Sequence, residues 1–416
     1  MRPRLIEQPG SVEVEASKRK QKAVDLFFPY HERTLTMKKL LIASAVSAAF
    51  AAPATALAQA RVPTLSQVLD ASGVSVNGYI DAAYSYANRN IQAAPPAGFS
   101  DRVFDSQNNS FDLHQFGLTV AKTPKEGFGG VVNLTIGSDA QVIHSFPETT
   151  ASTFDLTQAY GQYSAGALTL MAGKFTTLAG TEVIASTGNV NFSRSILFGA
   201  IPFTHTGVRA SYAPSDTVTV YGGLNNGWDQ LTDGNRGKTL ELGATLNPLK
   251  PLTVTVSGYF GQESASAGGV QTGTGPQGMR NALDAVANYI ISNSMSVGAE
   301  VLYVSQENTA VGTAKYNGAA GYFTYMLNSR WRAVARAEMF DDKNGFHFNT
   351  SPFATGTATG VKYKEVTLTL SYLPNASIEL RGEVRGDRAS SSVFVDSDGS
   401  AAKSLLTAAL QAIYKF

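Results

Sequence analysis

The sequence has no cysteine, so a disulfide scaffold, a thiolate zinc site and a cysteine nucleophile are excluded together. Charge is also scarce. Only 16% of the 416 residues are Asp, Glu, Lys or Arg, against about 25% in an ordinary soluble protein. The formal net charge is +1, and without a basic stripe there is no sign of a nucleic-acid partner. Beyond residue 58 no run of about 18 apolar residues occurs, which excludes insertion in a membrane as helices. The histidines beyond that point, His114, His144, His205 and His347, lack the paired spacing of a metal site. No cofactor is expected.

Glycine and tyrosine are plentiful, 39 and 17 residues, and they fall in segments that alternate apolar and polar side chains. The last twelve residues show this best. Leu406, Ala408, Leu410, Ala412, Tyr414 and Phe416 share one parity, while Thr407, Gln411 and Lys415 interrupt the other. Successive side chains of a strand point to opposite sides, so this is a strand with one apolar wall ending in two aromatics. Such an end suits the closing strand of a bacterial outer-membrane barrel, and its terminal Phe416 resembles the signal read by the barrel-assembly machinery.

Near the other end, Met37, Lys38 and Lys39 precede an apolar run, Leu40 to Phe50, and then Ala56-Leu57-Ala58 before Gln59. A basic start, a short apolar core and an A-x-A site have the form of a secretory signal peptide cleaved near Ala58, which implies export by the Sec route. Residues 1–36 are charged and without periodicity; they are expected to be a non-native leader ahead of the true start at Met37, the rival being a disordered extension. Removing residues 1–58 takes away nine of the 33 Lys/Arg and five of the 32 Asp/Glu, leaving 24 and 27 and a net charge of −3. Residues 59–73, with a helix-compatible stretch from Leu65 to Asp70, are expected to be a periplasmic lead-in.

From Val74 to Phe416 the pattern predicts an all-β, transmembrane antiparallel β-barrel of about sixteen strands: 74–88, 111–123, 128–138, 153–164, 167–179, 203–213, 217–226, 238–247, 252–262, 280–292, 294–306, 315–328, 331–341, 361–373, 376–388 and 404–416. Each is long enough for the roughly 9–11 residues that a tilted strand needs to cross. Seven short turns alternate with eight long polar loops, 89–110, 139–152, 180–202, 227–237, 263–279, 307–314, 342–360 and 389–403. This is the asymmetry of outer-membrane barrels, with short periplasmic turns and long external loops. In 376–388, Ile378, Leu380 and Val384 oppose Glu379, Arg381, Glu383, Arg385 and Asp387. Five charges on one face need water, and sixteen strands enclose a lumen wide enough to hold it.

The polar parity places Asp81, Arg209, Glu241, Glu300, Arg332, Arg336, Glu338, Glu365, Glu379, Arg381, Glu383, Arg385 and Lys415 toward the lumen. Acids and bases interleave, which favours a transverse field over selection of one sign. Equally, the ladder on 376–388 could pair with neighbouring strands to stiffen the wall. The loop 180–202 is partly apolar (Val183, Ile184, Ile196, Leu197, Phe198, Ile201), which suits packing inside the barrel. It is the expected constriction, with Glu182, Arg194 and Arg209 at the eyelet; the competing reading is an external lid or surface loop.

Several stretches together carry a family resemblance: Gly173-Lys174-Phe175, Gly180-Thr181-Glu182, Asn191-Phe192-Ser193-Arg194-Ser195, Pro202, His205-Thr206-Gly207-Val208-Arg209 and Asn226-Gly227-Trp228-Asp229, with Gly78-Tyr79-Ile80-Asp81 and Gln158-Ala159-Tyr160. They resemble the OmpL-like β-barrel porins of Gram-negative bacteria. The likeness is densest from about Gln158 to Asp229 and implies an outer-membrane porin, with no substrate and no catalytic residue to carry over. The function expected is a water-filled channel for passive diffusion of small hydrophilic solutes or ions. The alternatives are a substrate-specific channel, or a plugged barrel serving as surface receptor, adhesin or barrel enzyme. Outer-membrane lipid and lipopolysaccharide are the expected surroundings, and a homotrimer is plausible by analogy with general porins.

Three weaker signals fail on context. Gly273-x-Gly275-x-x-Gly278 has dinucleotide-fingerprint letters but no helix to receive a pyrophosphate. Asp396-Ser397-Asp398-Gly399 opens like a calcium loop without its closing acid, so a solvated turn is expected. His205 near Ser193 or Ser195 has neither a nucleophile motif nor an orienting acid. Processing is testable directly: the intact mass of the mature protein should correspond to a chain starting at Gln59, and a start well before it would overturn the reading of residues 1–58.

Overall fold

The structure, a computed structural model, describes residues 63–89, 102–105, 107–148, 152–266, 275–348 and 360–416. The expected leader and signal peptide, and parts of the loops 89–110, 139–152, 263–279 and 342–360, lie outside these residues. A short helix, α1 (Leu65–Ser72), forms the lead-in, and Gly73 ends it with its N–H on the Asp70 carbonyl.

The sixteen barrel strands are β1 (Ser75–Ala87), β2 (Ser110–Lys122), β3 (Gly127–Ile136), β4 (Phe154–Ala165), β5 (Leu168–Thr176), β6 (Thr204–Ser215), β7 (Val218–Asn225), β8 (Thr239–Leu249), β9 (Leu252–Ser264), β10 (Gln277–Ser292), β11 (Met295–Thr309), β12 (Gly312–Met326), β13 (Trp331–Asp342), β14 (Val361–Asn375), β15 (Ile378–Ala389) and β18 (Ser404–Lys415). Each pairs antiparallel with its sequence neighbours, and β18 pairs with both β15 and β1 to close the ring. Two short strands, β16 (Phe394–Val395) and β17 (Ala401–Ala402), make a hairpin inside the last loop. A one-turn helix, α2 (Ala140–Ile143), sits between β3 and β4.

Closure follows from the medium. An unpaired backbone N–H or C=O in hydrocarbon costs several kcal/mol, so an open sheet edge is not tolerated there. The seam is complete to the last residue: Phe416 N–H donates to the Gly78 carbonyl and Gly78 N–H to the Phe416 carbonyl, both at 2.9 Å. The outer face is the apolar one. Leu406, Leu410, Tyr414 and Phe416 are exposed, as are Val366, Leu368 and Leu370 of β14 and Leu380 and Val384 of β15. Their neighbours of opposite parity, Glu365, Thr367, Thr369, Arg381, Glu383 and Arg385, are buried inside the barrel.

Two expectations change. The polar segment 307–314 is not a long loop: β11 and β12 run on to Thr309 and Gly312 and turn over two residues, with Asn308 and Gly312 at positive φ of 59° and 81°. Polar residues there extend the strands beyond the lipid instead of ending them. The inward parity is also not wholly polar. Leu302 and Val304 of β11, and Leu405 and Ile413 of β18, point inward and are buried.

Gly78 shows how tight the seam is. A Cβ there would lie 2.4 Å from the Phe416 ring. Gly78→Val should therefore displace Phe416 and cost about 1–3 kcal/mol, the range for overpacking. A lower unfolding midpoint in the heat-modifiability shift of the folded barrel would show this; an unchanged midpoint would mean that the ring contributes nothing to the seam.

Candidate functional site

Between β5 and β6 the chain turns inward. At Gly180 φ is +89°, and a Cβ would lie 2.4 Å from Cδ1 of Ile201, so the two ends of the loop 180–202 meet at a point where only glycine fits without strain. The loop then crosses to the far wall. Most of its residues are buried, among them Glu182, Ile184, Asn189, Asn191 and the whole run Phe192–Phe198. Two short 3-10 turns, Ser186–Gly188 and Phe198–Ala200, shape it.

The wall grips this loop chiefly by its main chain. Carboxylates take its amides: Asp284 accepts from Gly180 N–H (2.9 Å), Glu300 from Thr181 (2.8 Å), Glu383 from Phe192 (2.7 Å) and Ser193 (2.9 Å), and Glu338 from Ile196 (2.7 Å) and Leu197 (3.2 Å). Guanidinium groups take its carbonyls. Arg381 donates to Asn191 (2.9 Å) and Asn189 (2.6 Å), Arg336 to Ser193 (2.7 Å), and Arg385 to Arg194 (2.6 Å). On the near side Gln115 of β2 donates to the Ile184 carbonyl at 2.9 Å and accepts from Ser186 N–H at 3.1 Å. A hydrogen bond to a charged group contributes about 1.5–3 kcal/mol, so the set offsets much of the roughly 1–2 kcal/mol per residue that ordering the loop backbone costs.

The same charges also pair with one another. Arg336 meets both Glu365 and Glu182 at 2.7 Å, Arg381 meets Glu379 at 2.6 Å, and Arg385 meets Asp387 at 2.7 Å and Glu365 at 3.3 Å. Arg332 bonds Glu379, and Arg209 bonds Glu241 while its guanidinium lies 4.3 Å from the centre of the Phe175 ring. Buried charges are costly unless paired and hydrogen-bonded, and these are.

Arg194 differs from expectation. Its guanidinium folds back on its own loop, donating to the carbonyls of Val183 (3.0 Å), Phe192 (2.9 Å) and Ile184 (2.8 Å), and lies near the rings of Phe104 and Phe198. It is a staple within the loop, and its charge is turned away from open lumen. Glu182 is likewise committed, to Arg336 and to the Ser195 amide at 2.5 Å. Arg209 lies on the β6 wall against Glu241, apart from both. Of the three residues expected at the eyelet, Glu182 and Arg194 lie close enough to act on one another's charge, and Arg209 is engaged with Glu241.

Above the loop an apolar cluster fills part of the lumen. Ile196, Leu197, Ala200 and Ile201 belong to it with Leu302, Val304, Tyr316, Phe340, Tyr363, Val393 and Phe394. Other loops are pinned in the same way as 180–202. Asp342 accepts from the amides of Phe346, His347 and Phe348 at 2.9–3.0 Å, and His347 Nε2–H donates to the Gly199 carbonyl at 2.9 Å. Burial pushes the His347 imidazole down to about 4, which keeps it neutral in that contact. Asp229 accepts from Phe203 and Thr204 N–H at 2.9 and 2.8 Å, and burial lifts its carboxyl to about 6.

Inward-facing Asp284, Arg280 and Asp342 were absent from the expected lumenal set. The first two share the buried parity of β10 and were legible in its alternation. Asp342 was taken as loop because strand β13 runs one residue past its expected end. Among the described residues no three His, Cys, Asp or Glu side chains gather as a metal site. His205 stacks on Tyr259 (4.7 Å between centroids) and its Nδ1–H donates to the Gly227 carbonyl, while Ser193 accepts from Arg336 and Ser195 from Phe198 N–H. Gly278, the one fingerprint glycine within a described element, is part of β10, and Asp396–Gly399 is a tight turn between β16 and β17.

No curated protein sequence matches the chain. Solved structures share its fold at low identity. The outer-membrane channel DcaP of Acinetobacter baumannii aligns with TM-score 0.54 and 13% identity over 82% of this chain and 97% of its own. OprB of Pseudomonas putida aligns with TM-score 0.56 and 14% identity over 84% and 96%. An anion-selective porin from Comamonas acidovorans gives TM-score 0.53 and 10% identity over 82% and 99%. The sequence itself matches, over residues 73–416, the family described as "Putative beta-barrel porin-2, OmpL-like". The chain, a closed sixteen-stranded barrel with its third long loop turned inward, belongs to this OmpL-like family and is an outer-membrane porin.

Proposed function

We propose that this porin passes small hydrophilic solutes by diffusion along the side of the lumen that the loop 180–202 leaves open. One observation carries the reading. The loop is drawn onto β10–β15 by the wall charges, whereas the inward side chains toward the short-turn end of β4–β9, such as Gln162, Thr169, Ser211, Tyr221, Thr245 and Thr255, stay partly accessible and carry no charge. The buried ladder Arg336, Glu338, Arg381, Glu383 and Arg385 holds the constriction in place and leaves ion selectivity modest. No step requires catalysis.

Outer-membrane lipid and lipopolysaccharide would meet the apolar outer face, and the barrel-assembly machinery would read the β18 end at Phe416. The trimer form recorded for OmpT of Vibrio cholerae, of similar fold (TM-score 0.55, 12% identity), supports a homotrimer for this chain too. Export through a signal peptide at 37–58 fits this location. A specific observation favours a second reading, a plugged receptor: the apolar cluster that fills part of the lumen.

Planar-bilayer recording separates the two. Steady conductance is expected, and its absence from a folded barrel would overturn the diffusion reading. Arg336→Gln removes the cation shared by Glu182 and Glu365; losing one partner of a buried pair costs about 3–5 kcal/mol. Its channels should be larger and noisier, and unchanged conductance would remove the loop from the constriction. Arg194→Gln should likewise raise the noise while leaving the reversal potential near wild type. A shifted reversal potential would put the Arg194 charge on the ion path after all.

A further inference from the structure

On β10 and β11 lies an inward acidic pair to which no arginine or lysine of the described residues is bonded. Elsewhere each inward carboxylate on β13–β15 has an arginine or a pair of amides: Glu365 and Glu379 have guanidinium partners, and Glu338 and Glu383 each take two N–H groups. Asp284 on β10 and Glu300 on β11 have neither. Each is at least nine-tenths buried, each accepts a single amide, and those amides belong to consecutive residues, Gly180 and Thr181. The two carboxylates are therefore held side by side under the first turn of the loop. The other nearby charge facing Glu300 is again an acid, Glu182.

The remaining oxygens point to what is missing. Asp284 Oδ2 and the hydroxyls of Ser257 and Tyr322 are buried without a hydrogen-bond partner, and at Glu300 Oε1 the only side-chain donor in reach is the Thr181 hydroxyl. Ser257 lies directly across from Asp284 in the β9–β10 register, on the same inward face and 2% exposed. Facing residues in such a pair have Cβ atoms about 4.5–5.5 Å apart. Tyr322 is 8% exposed and pairs with Gly298, one inward step from Glu300. A buried polar atom left unpaired costs about 1–3 kcal/mol, and such atoms recur here on four successive strands, β9 to β12. A cavity of about 310 Å³, lined in part by Thr181, Tyr322, Gly298 and Asn288, reaches the group from the short-turn side.

We propose that Asp284 and Glu300, completed by the hydroxyls of Ser257 and Thr181 and by water, bind a hard divalent cation, Ca²⁺ being the best match. Two carboxylates neutralise its charge. All donors are oxygen, with neither imidazole nor thiolate to favour a softer metal. Four protein oxygens and two or more waters from the cavity make up the six to eight ligands that Ca²⁺ takes. Mg²⁺ demands stricter octahedral geometry and holds its water more firmly. The cation would tie β10 and β11 to Gly180 and Thr181, fixing the loop where it leaves the wall.

The test uses the full barrel refolded from inclusion bodies in detergent, free of lipopolysaccharide and treated with chelator, titrated with Ca²⁺ in a calorimeter. Folding is checked by heat-modifiable migration. Wild type should bind one Ca²⁺ per chain and unfold at higher temperature when it does. Asp284→Asn with Glu300→Gln keeps both amide acceptors and should abolish the site. Ser257→Ala with Thr181→Val, which leaves the carboxylates intact, should weaken binding by tenfold or more. Folded wild type that takes up no Ca²⁺ at millimolar concentration would show that the carboxylates share a proton instead, and would overturn the proposal. So would equal binding by a folded variant of either pair. Conductance is not the readout, so failure here would leave the diffusion reading standing.

Discussion

Everything in this barrel depends on the absence of water from the hydrocarbon. A backbone amide that loses its partner there cannot find another, so the sheet has to close on itself. The closing contact between Phe416 and Gly78 is a reciprocal pair of main-chain hydrogen bonds carried to the final residue. Closure fixes the facing of every side chain, since a slip of one residue would turn the whole strand inside out. With leucines and valines committed to lipid, most of the charge of β13–β15 is gathered within a narrow interior.

That interior is then used for construction. Charges in a channel are easily read as selectivity elements, yet here most are spent on the backbone of a loop that has no sheet to satisfy it. Buried peptide groups must be paired, and the loop 180–202 is too irregular to pair with itself. Acids on the wall receive its amides and arginines receive its carbonyls, while Arg194 performs the same service from within. The mixed sign of the ladder follows directly, because a peptide group presents both a donor and an acceptor.

The strands were legible because their signals are local. Alternation in 361–373 and 376–388, and turn residues such as those at Leu373–Ala376, need no knowledge of distant chain, and the observed strands end within about three residues of the expected ones. Parity also placed Arg336, Glu338, Glu365, Arg381, Glu383 and Arg385 inside, where they are buried. What each charge binds was not legible: Arg336 meets the Ser193 carbonyl across 143 positions of sequence. The partners of Arg194 were hidden for a related reason. A loop has no period, so nothing in its spacing says which way a side chain turns. Leu302, Val304 and Leu405 broke the inward polarity of their strands, and only the packed cluster explains why.

The choice of main-chain atoms as handles for the third loop bears on how such a protein changes over generations. Glu338 and Glu383 grip amides that every residue but proline possesses, and Arg381 and Arg385 grip carbonyls that every residue possesses. Side chains of the loop can be exchanged while its anchorage is inherited intact. A lineage of these barrels is thereby free to explore new permeation properties at this segment without relearning how to fold it.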